Sequence, residues 1–228
     1  MLGVISEGAE SRREPSRDCP HCPRLADFRA EHRRAHPEWH NAPVPSFGTA
    51  DARLLIVGLA PGLRGANRTG RPFTGDYAGD LLYATLLKFG FANGRYDAHP
   101  ADGLSPIDCR ITNAARCVPP ANKPLPAEVA ACRPYLVADI AAMTRLRVIL
   151  TLGLVAHSAV LVAHGLRQNS LRFGHGRRHA LPGGVTLIGS YHCSRYNTNT
   201  RRLTTEMFEA VFGGIREMLD GGPLENGG

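Results

Sequence analysis

Lysine is almost missing from this chain: Lys88 and Lys123 are the only two among 27 Lys+Arg in 228 residues. Chemistry that runs through a Schiff base needs an amine nucleophile, and this chain has few to offer. Aromatic residues are sparse, at 7%. No long apolar run exists either. The longest, residues 148–163, is interrupted by Thr151, His157 and Ser158 and is too short and too polar to span a bilayer. Residues 1–17 show no apolar h-region, so no secretory signal is visible and a cytoplasmic protein is expected. The remaining composition, 43% hydrophobic and 21% charged, excludes wholesale disorder. The length suits one domain with a sizeable core.

What is present is arginine, which carries the formal charge of +7. Its planar fork suits phosphates and base edges, although a GC-rich genome would produce the same bias. Residues 1–17 read as a polar tail, 18–220 as a single domain and 221–228 as a second tail. Apolar runs at 53–58, 109–112, 147–152 and 185–189 read as buried parallel strands, since both faces are apolar and no hairpin turn joins them. Helices are expected over 24–36, 77–89, 126–143, 154–164 and 203–219. The alternation predicts an α/β three-layer sandwich with a central four-stranded, mainly parallel sheet flanked by helices. In such sheets ligands sit beyond the carboxyl ends of the strands, which directs attention to residues 59–76, 113–123, 153 onward and 190–199.

Six cysteines without a secretory signal are poor material for a disulfide framework. Cys19 and Cys22 form a C-x2-C knuckle, while Cys117 and Cys132 bracket a Pro-rich loop and a helix start. Four thiolates from two distant pairs suit tetrahedral zinc or a [4Fe–4S] cluster, and the spacing alone does not choose. Cys109, in a strand, and Cys193 read as unrelated thiols.

The loop after the first strand, Gly58 to Asp76, is rich in glycines that permit close backbone approach to a ligand. It lacks the G-K-[ST] ending of a nucleotide phosphate loop. Phe73 suits stacking on a base, or simply core packing. Asp76 suits water activation, and it also stands where a helix N-cap belongs. Asn113, at the end of the second strand, carries a donor and an acceptor able to read a base edge, or serves a turn. His192 follows the fourth strand, placed to donate to a leaving group that gathers negative charge. The polar loop after it, with Ser194, Arg195 and Tyr196, suits gripping phosphate.

Together these pieces resemble family 5 of the uracil-DNA glycosylase superfamily, the iron–sulfur DNA glycosylases. The matching segments are GLAPG…NRTGRPFTGD (58–76), ITNAARCVPPANKPLP (111–126), HCSRYNTN (192–199) and the four cysteines in order, covering roughly residues 19–210. The resemblance implies that Cys19, Cys22, Cys117 and Cys132 hold a structural [4Fe–4S] cluster, with zinc as the lesser alternative. It implies a base pocket of Gly58, Ala60, Phe73 and Asn113, with His192 stabilising the departing base and Asp76 positioning water. Ser194, Arg195, Tyr196 and Asn197 would contact DNA holding a flipped-out uracil or another deaminated base, such as hypoxanthine or a modified uracil. The implied activity is base removal. Independently of the resemblance, Lys88 in a predicted helix and Lys123 in the Pro-rich loop are poorly placed for a Schiff base, so an intact abasic site is expected. A monomer is the simplest expectation. Ala60 stands where other families of the superfamily carry a polar or acidic residue. Cys193 stands where relatives usually show proline, which would loosen the loop or expose a reactive thiol. A non-catalytic iron–sulfur nucleic-acid-binding protein is the alternative reading.

Overall fold

A computed structural model of the chain describes residues 14–221; the expected tails at 1–13 and 222–228 lie outside the described residues. In chain order the elements are α1 (Pro23–Ala35), β1 (Leu54–Gly58), α2 (Ala66–Thr69), α3 (Tyr77–Lys88), β2 (Ala92–Asn93), β3 (Ser105–Pro106), β4 (Cys109–Asn113), α4 (Pro126–Ala142), β5 (Val148–Leu152), α5 (Leu154–Ala163), β6 (Arg178–Ala180), β7 (Thr186–Ser190), α6 (Arg195–Asn199) and α7 (Thr205–Asp220).

The strands are continuous apolar runs because both of their faces are covered. Along β1, Leu54 and Ile56 enter one core with Leu82, Leu86, Phe208 and Phe212 from α3 and α7. Leu55 and Val57 point the other way, into a core with Leu136 of α4 and Ala156 and Val160 of α5. Each such side chain, fully removed from water, contributes roughly 1.5–3 kcal/mol of hydrophobic stabilisation. A helix-covered sheet of this kind has to be entered by crossovers, so β1, β4, β5 and β7 all run parallel.

The sheet order is β4-β1-β5-β7-β6, so it holds five strands rather than the four expected. The fifth, β6, pairs antiparallel with β7 at the edge. It is three residues long and has no apolar alternation, with Arg178 and Ala180 exposed, so hydrophobic patterning carries no trace of it. At the opposite edge, Phe47 bridges to Ile111 of β4 through two backbone hydrogen bonds of 2.8 and 2.9 Å.

A buried polar network closes the sheet's β4 side. Asp139 on α4 accepts from Arg116 at 2.5 Å, from Arg110 at 2.8 Å and from the Ser46 hydroxyl at 2.6 Å. Burial pushes its carboxyl up, but Arg116 and Arg110 outweigh that and hold it below the usual range. Glu14, in the segment expected to be tail, also accepts from Arg116 at 2.8 Å and from the Ser46 N–H at 3.0 Å.

Candidate active site and cysteine site

The register places the carboxyl ends of β1 and β4 side by side, with Gly58 opposite Asn113. Beyond them lies a cleft of about 650 Å³, lined among others by Ala60, Phe73, Asp76, Asn113, His192, Ser194 and Arg195. Three loops far apart in sequence therefore meet at one place, as the strand-end argument requires.

Phe73 and Asn113 depend on the missing side chain of Gly58. A Cβ there would lie 2.4 Å from Asn113 Oδ1 and 2.5 Å from Phe73 Cζ. Phe73 adopts φ +55°, a left-handed conformation that costs a non-glycine residue free energy and persists only under external bracing. The bracing is visible. Tyr83 donates to Pro72 O at 2.5 Å, and Arg71 pairs bidentately with Asp102 at 2.7 and 2.8 Å while donating to Thr74 Oγ1 at 2.6 Å. Asn113 is buried, and its Oδ1 has no hydrogen-bond partner among the described residues. An unpaired acceptor at a cleft wall is costly unless a ligand supplies the donor.

Asp76 is the expected helix cap and also a wall of the cleft. Its carboxylate caps α3, accepting from the Gly79 N–H at 3.3 Å, and it also lines the cleft. Gly62 and Gly65 let the loop close over it, since a Cβ on either would stand 2.9 or 2.4 Å from Asp76 Oδ2. Burial pushes its carboxyl above the ordinary value, against the opposing pull of the Gly79 and Ala78 N–H groups.

His192 stands across the cleft, with its ring centroid 6.0 Å from that of Phe73. Burial pushes its imidazole down to about 4, so the ring is neutral at physiological pH and keeps one N–H to donate. Asn197 on α6 donates to the His192 carbonyl at 2.8 Å and fixes the loop. Ser194 caps α6, Arg195 lies over the Tyr77 ring at 5.2 Å, and Tyr196 is 73% exposed. Cys193 corrects an expectation. Its thiol is fully buried and donates to Ala78 O at 3.4 Å, and burial pushes its pKa up, so it is neither exposed nor reactive.

All six cysteines are free thiols. Cys19, Cys22, Cys117 and Cys132 line a single cavity together with Arg29, Glu128 and Tyr135. Cys22 is the N-cap of α1, Cys117 leaves the β4 loop and Cys132 sits on α4. The Arg116 N–H donates to Cys132 Sγ at 3.2 Å, and Arg24 ties α1 to α4 by a two-pronged contact with Glu128 at 2.7 and 2.8 Å. Burial pushes the Cys117 thiol up to about 12 and that of Cys132 up to about 11. Among the described residues no three His, Cys, Asp or Glu side chains converge closely enough for a single metal ion.

Sequence reasoning missed several cleft residues. Tyr77 reads in sequence only as a helix start and Arg64 only as loop, yet both line the cleft. Asn122 lines it too, after a short 3-10 turn in which Ala121 and Asn122 take φ +54° and +56°. An Asn in a Pro-rich segment is a turn signal, and nothing local says which way that turn faces.

The family model described as the uracil DNA glycosylase superfamily matches residues 45–215. A type-5 uracil-DNA glycosylase of Thermus thermophilus is 45% identical over 199 residues, covering 85% of this chain and 90% of the relative. Its Mycobacterium leprae counterpart is 45% identical over 203 residues, covering 85% and 88%. A type-5 enzyme of Pyrobaculum aerophilum is 37% identical over 198 residues, covering 85% and 86%.

Proposed function

The chain belongs to the uracil DNA glycosylase superfamily, among its type-5 members, and from that premise we propose how its cleft works. The protein is a DNA glycosylase that excises uracil. The observation that carries the mechanism is the orphaned Asn113 Oδ1 beside the Phe73 ring. A duplex hides the glycosidic bond, so the nucleotide is flipped into the cleft. Its base lies against Phe73, and Asn113 Oδ1 accepts the ring N–H of uracil while the amide Nδ2 donates to the neighbouring carbonyl. Deamination of cytosine or adenine creates that pattern, which thymine and guanine carry from the start. Cytosine and adenine present a bare ring nitrogen beside an amino group, whereas uracil and hypoxanthine present a ring N–H beside a carbonyl. The same contact therefore extends the substrate range to hypoxanthine and substituted uracils.

Bond breaking sends negative charge onto the base and positive charge onto the sugar. The neutral His192 ring donates to the base oxygen where that charge gathers, a contact of a kind worth about 10²–10³ in rate. The Asp76 carboxylate faces the sugar side, countering its positive charge and orienting water. Ser194, Arg195, Tyr196 and Asn197 contact the opened duplex, with Arg195 and Tyr77 forming the rim. Neither lysine lines the cleft among the described residues, and Lys88 is paired with Glu209 at 2.5 Å. No Schiff base forms, and the product is an intact abasic site.

The four cysteines line one cavity and would hold a [4Fe–4S] cluster, as the family resemblance implies, with zinc as the lesser alternative. Hydrolysis involves no electron transfer, so its contribution is to cross-link the start of α1, the β4 exit and α4. No helix among the described residues is long and apolar enough to cross a membrane. We place the enzyme in the cytoplasm, acting as a monomer on chromosomal DNA.

The test is base release from labelled duplexes carrying uracil, hypoxanthine or no lesion, with and without alkali. Cleavage only after alkali, opposite uracil and at least one other deaminated base, is expected. Cleavage before alkali would refute the monofunctional reading. Cluster-loaded protein that binds DNA and releases nothing would favour a binding protein instead.

A further inference from the structure

Among the described residues three arginines are at least nine-tenths buried: Arg29, Arg71 and Arg116, at 5%, 4% and 1% exposure. Arg71 and Arg116 each face a carboxylate, Asp102 at 2.7 Å and Asp139 at 2.5 Å. Arg29 faces none within 4.0 Å among the described residues. Its Nη2 donates to Cys19 O at 3.0 Å, and its Nη1 donates to Cys117 Sγ at 3.5 Å in the wall of the four-cysteine cavity. A guanidinium cannot escape burial by losing its proton, and a buried charge without a counter-charge is strongly unfavourable. The carboxylate of Asp18 acts on Arg29 only at longer range, from an exposed position where it is already bonded to Arg33, so most of the balancing charge has to come from elsewhere. A cysteine neutral as a thiol does not supply it, whereas four thiolates around a cluster or a zinc ion leave the assembly net negative.

We infer that Arg29 is the built-in counter-charge of the cysteine-bound cofactor, a positioning residue that sets how firmly the cofactor is kept. The inference rests on the cofactor reading given above. It makes a statement of opposite sign for the two forms of the protein. With the cofactor in place, removing the guanidinium removes an attraction. With the cofactor removed, it relieves a buried charge that only the exposed Asp18 partly offsets. A residue that merely packs would cost stability in both.

The experiment purifies the full chain anaerobically as parent, Arg29→Gln, Arg29→Lys and Arg24→Gln, and measures iron and sulfide per chain. It then follows loss of the visible absorbance in air and the melting temperature before and after chelation. Arg29→Gln is expected to lose its absorbance on the order of tenfold faster than the parent, the usual scale for residues that contact a metal's ligands. Arg29→Lys keeps the charge and falls between the two. After chelation, Arg29→Gln melts at or above the parent. Arg24→Gln, which breaks the tie to Glu128, melts lower than the parent in both forms. Equal bleaching of parent and Arg29→Gln overturns the inference, as does a lower melting temperature for Arg29→Gln in both forms. If the chelated protein shows no cooperative melting, the bleaching rates alone decide. A parent with zinc and no iron refutes the cluster reading, and zinc release then takes the place of bleaching in deciding on Arg29. A parent holding no metal refutes both.

Discussion

Adding one methyl group at Gly58 tests the assembly of the base pocket more sharply than deleting any side chain in it. In Gly58→Ala the new Cβ stands 2.4 Å from Asn113 Oδ1 and 2.5 Å from Phe73 Cζ, where ordinary contact needs about 3.4 Å or more. Both groups have to retreat by about 1 Å. Misplacement of that size costs on the order of 10²-fold in rate. Phe73 has little room to move, since its left-handed backbone is fixed by Tyr83 and by the Arg71–Asp102 pair. Overpacking of this kind costs about 1–3 kcal/mol. For a domain of this size that is a melting temperature lower by roughly 2–12 °C. The assay is single-turnover uracil release from a duplex, measured beside DNA affinity and a melting curve. A rate loss near 10²-fold, with the fold retained and DNA affinity within about threefold, is the expected result. A folded variant with nearly parental activity would refute the claim that Asn113 and Phe73 form the base-reading contact.

Other consequences can be checked independently. The rate of base release should rise with pH through the acid range, because Asp76 acts ionised with a raised pKa and His192 acts neutral with one near 4. His192 should add no inflection at 6.5, where an ordinary histidine titrates, and an inflection there that survives in Asp76→Asn but is lost in His192→Gln would contradict the neutral-donor role. The same burial binds fewer protons in the folded than in the unfolded state, so stability falls as pH drops from 6.5 toward 4, and His192→Gln should flatten that slope. Asp102→Asn strips the partner from a buried guanidinium and should cost roughly 3–5 kcal/mol in denaturant titration. At temperatures where that variant stays folded, turnover should fall more than DNA affinity, since Phe73 loses its bracing. Replacing both lysines by arginine, at 88 and 123, should leave uracil release within about twofold and the product still alkali-labile; loss of activity would restore a role for an amine.

Four strands, the five longer helices and the meeting of three loops at one cleft were legible in the sequence, because each rests on long-range apolar burial written into local patterning. Leu54 to Val57 declare two covered faces by being apolar at every position. Edge strand β6 has no such signature, because its pairing comes from the backbone alone and Arg178 is free to be solvated. Asn122 and Tyr77 were not legible as cleft residues for a different reason. Whether a loop side chain faces a cavity depends on left-handed dihedrals at Ala121 and Asn122 that residue type only weakly encodes. Cys193 illustrates the converse. Standing where relatives usually show proline, it raises the expectation of a loosened loop or an exposed thiol, yet it is completely buried, with its thiol hydrogen-bonded to the Ala78 carbonyl of α3.

The two borders of the sheet carry a further consequence. A strand with an unpaired row of N–H and C=O groups invites any passing extended chain to join it. Here Phe47 occupies the outer rim of β4, and the opposite rim is three residues long and bears Arg178 and His179. Neither rim offers a run long and neutral enough to recruit a neighbour. At high concentration, and in partly denaturing conditions that spare the sheet, these two rims give ordered strand-by-strand aggregation no place to start.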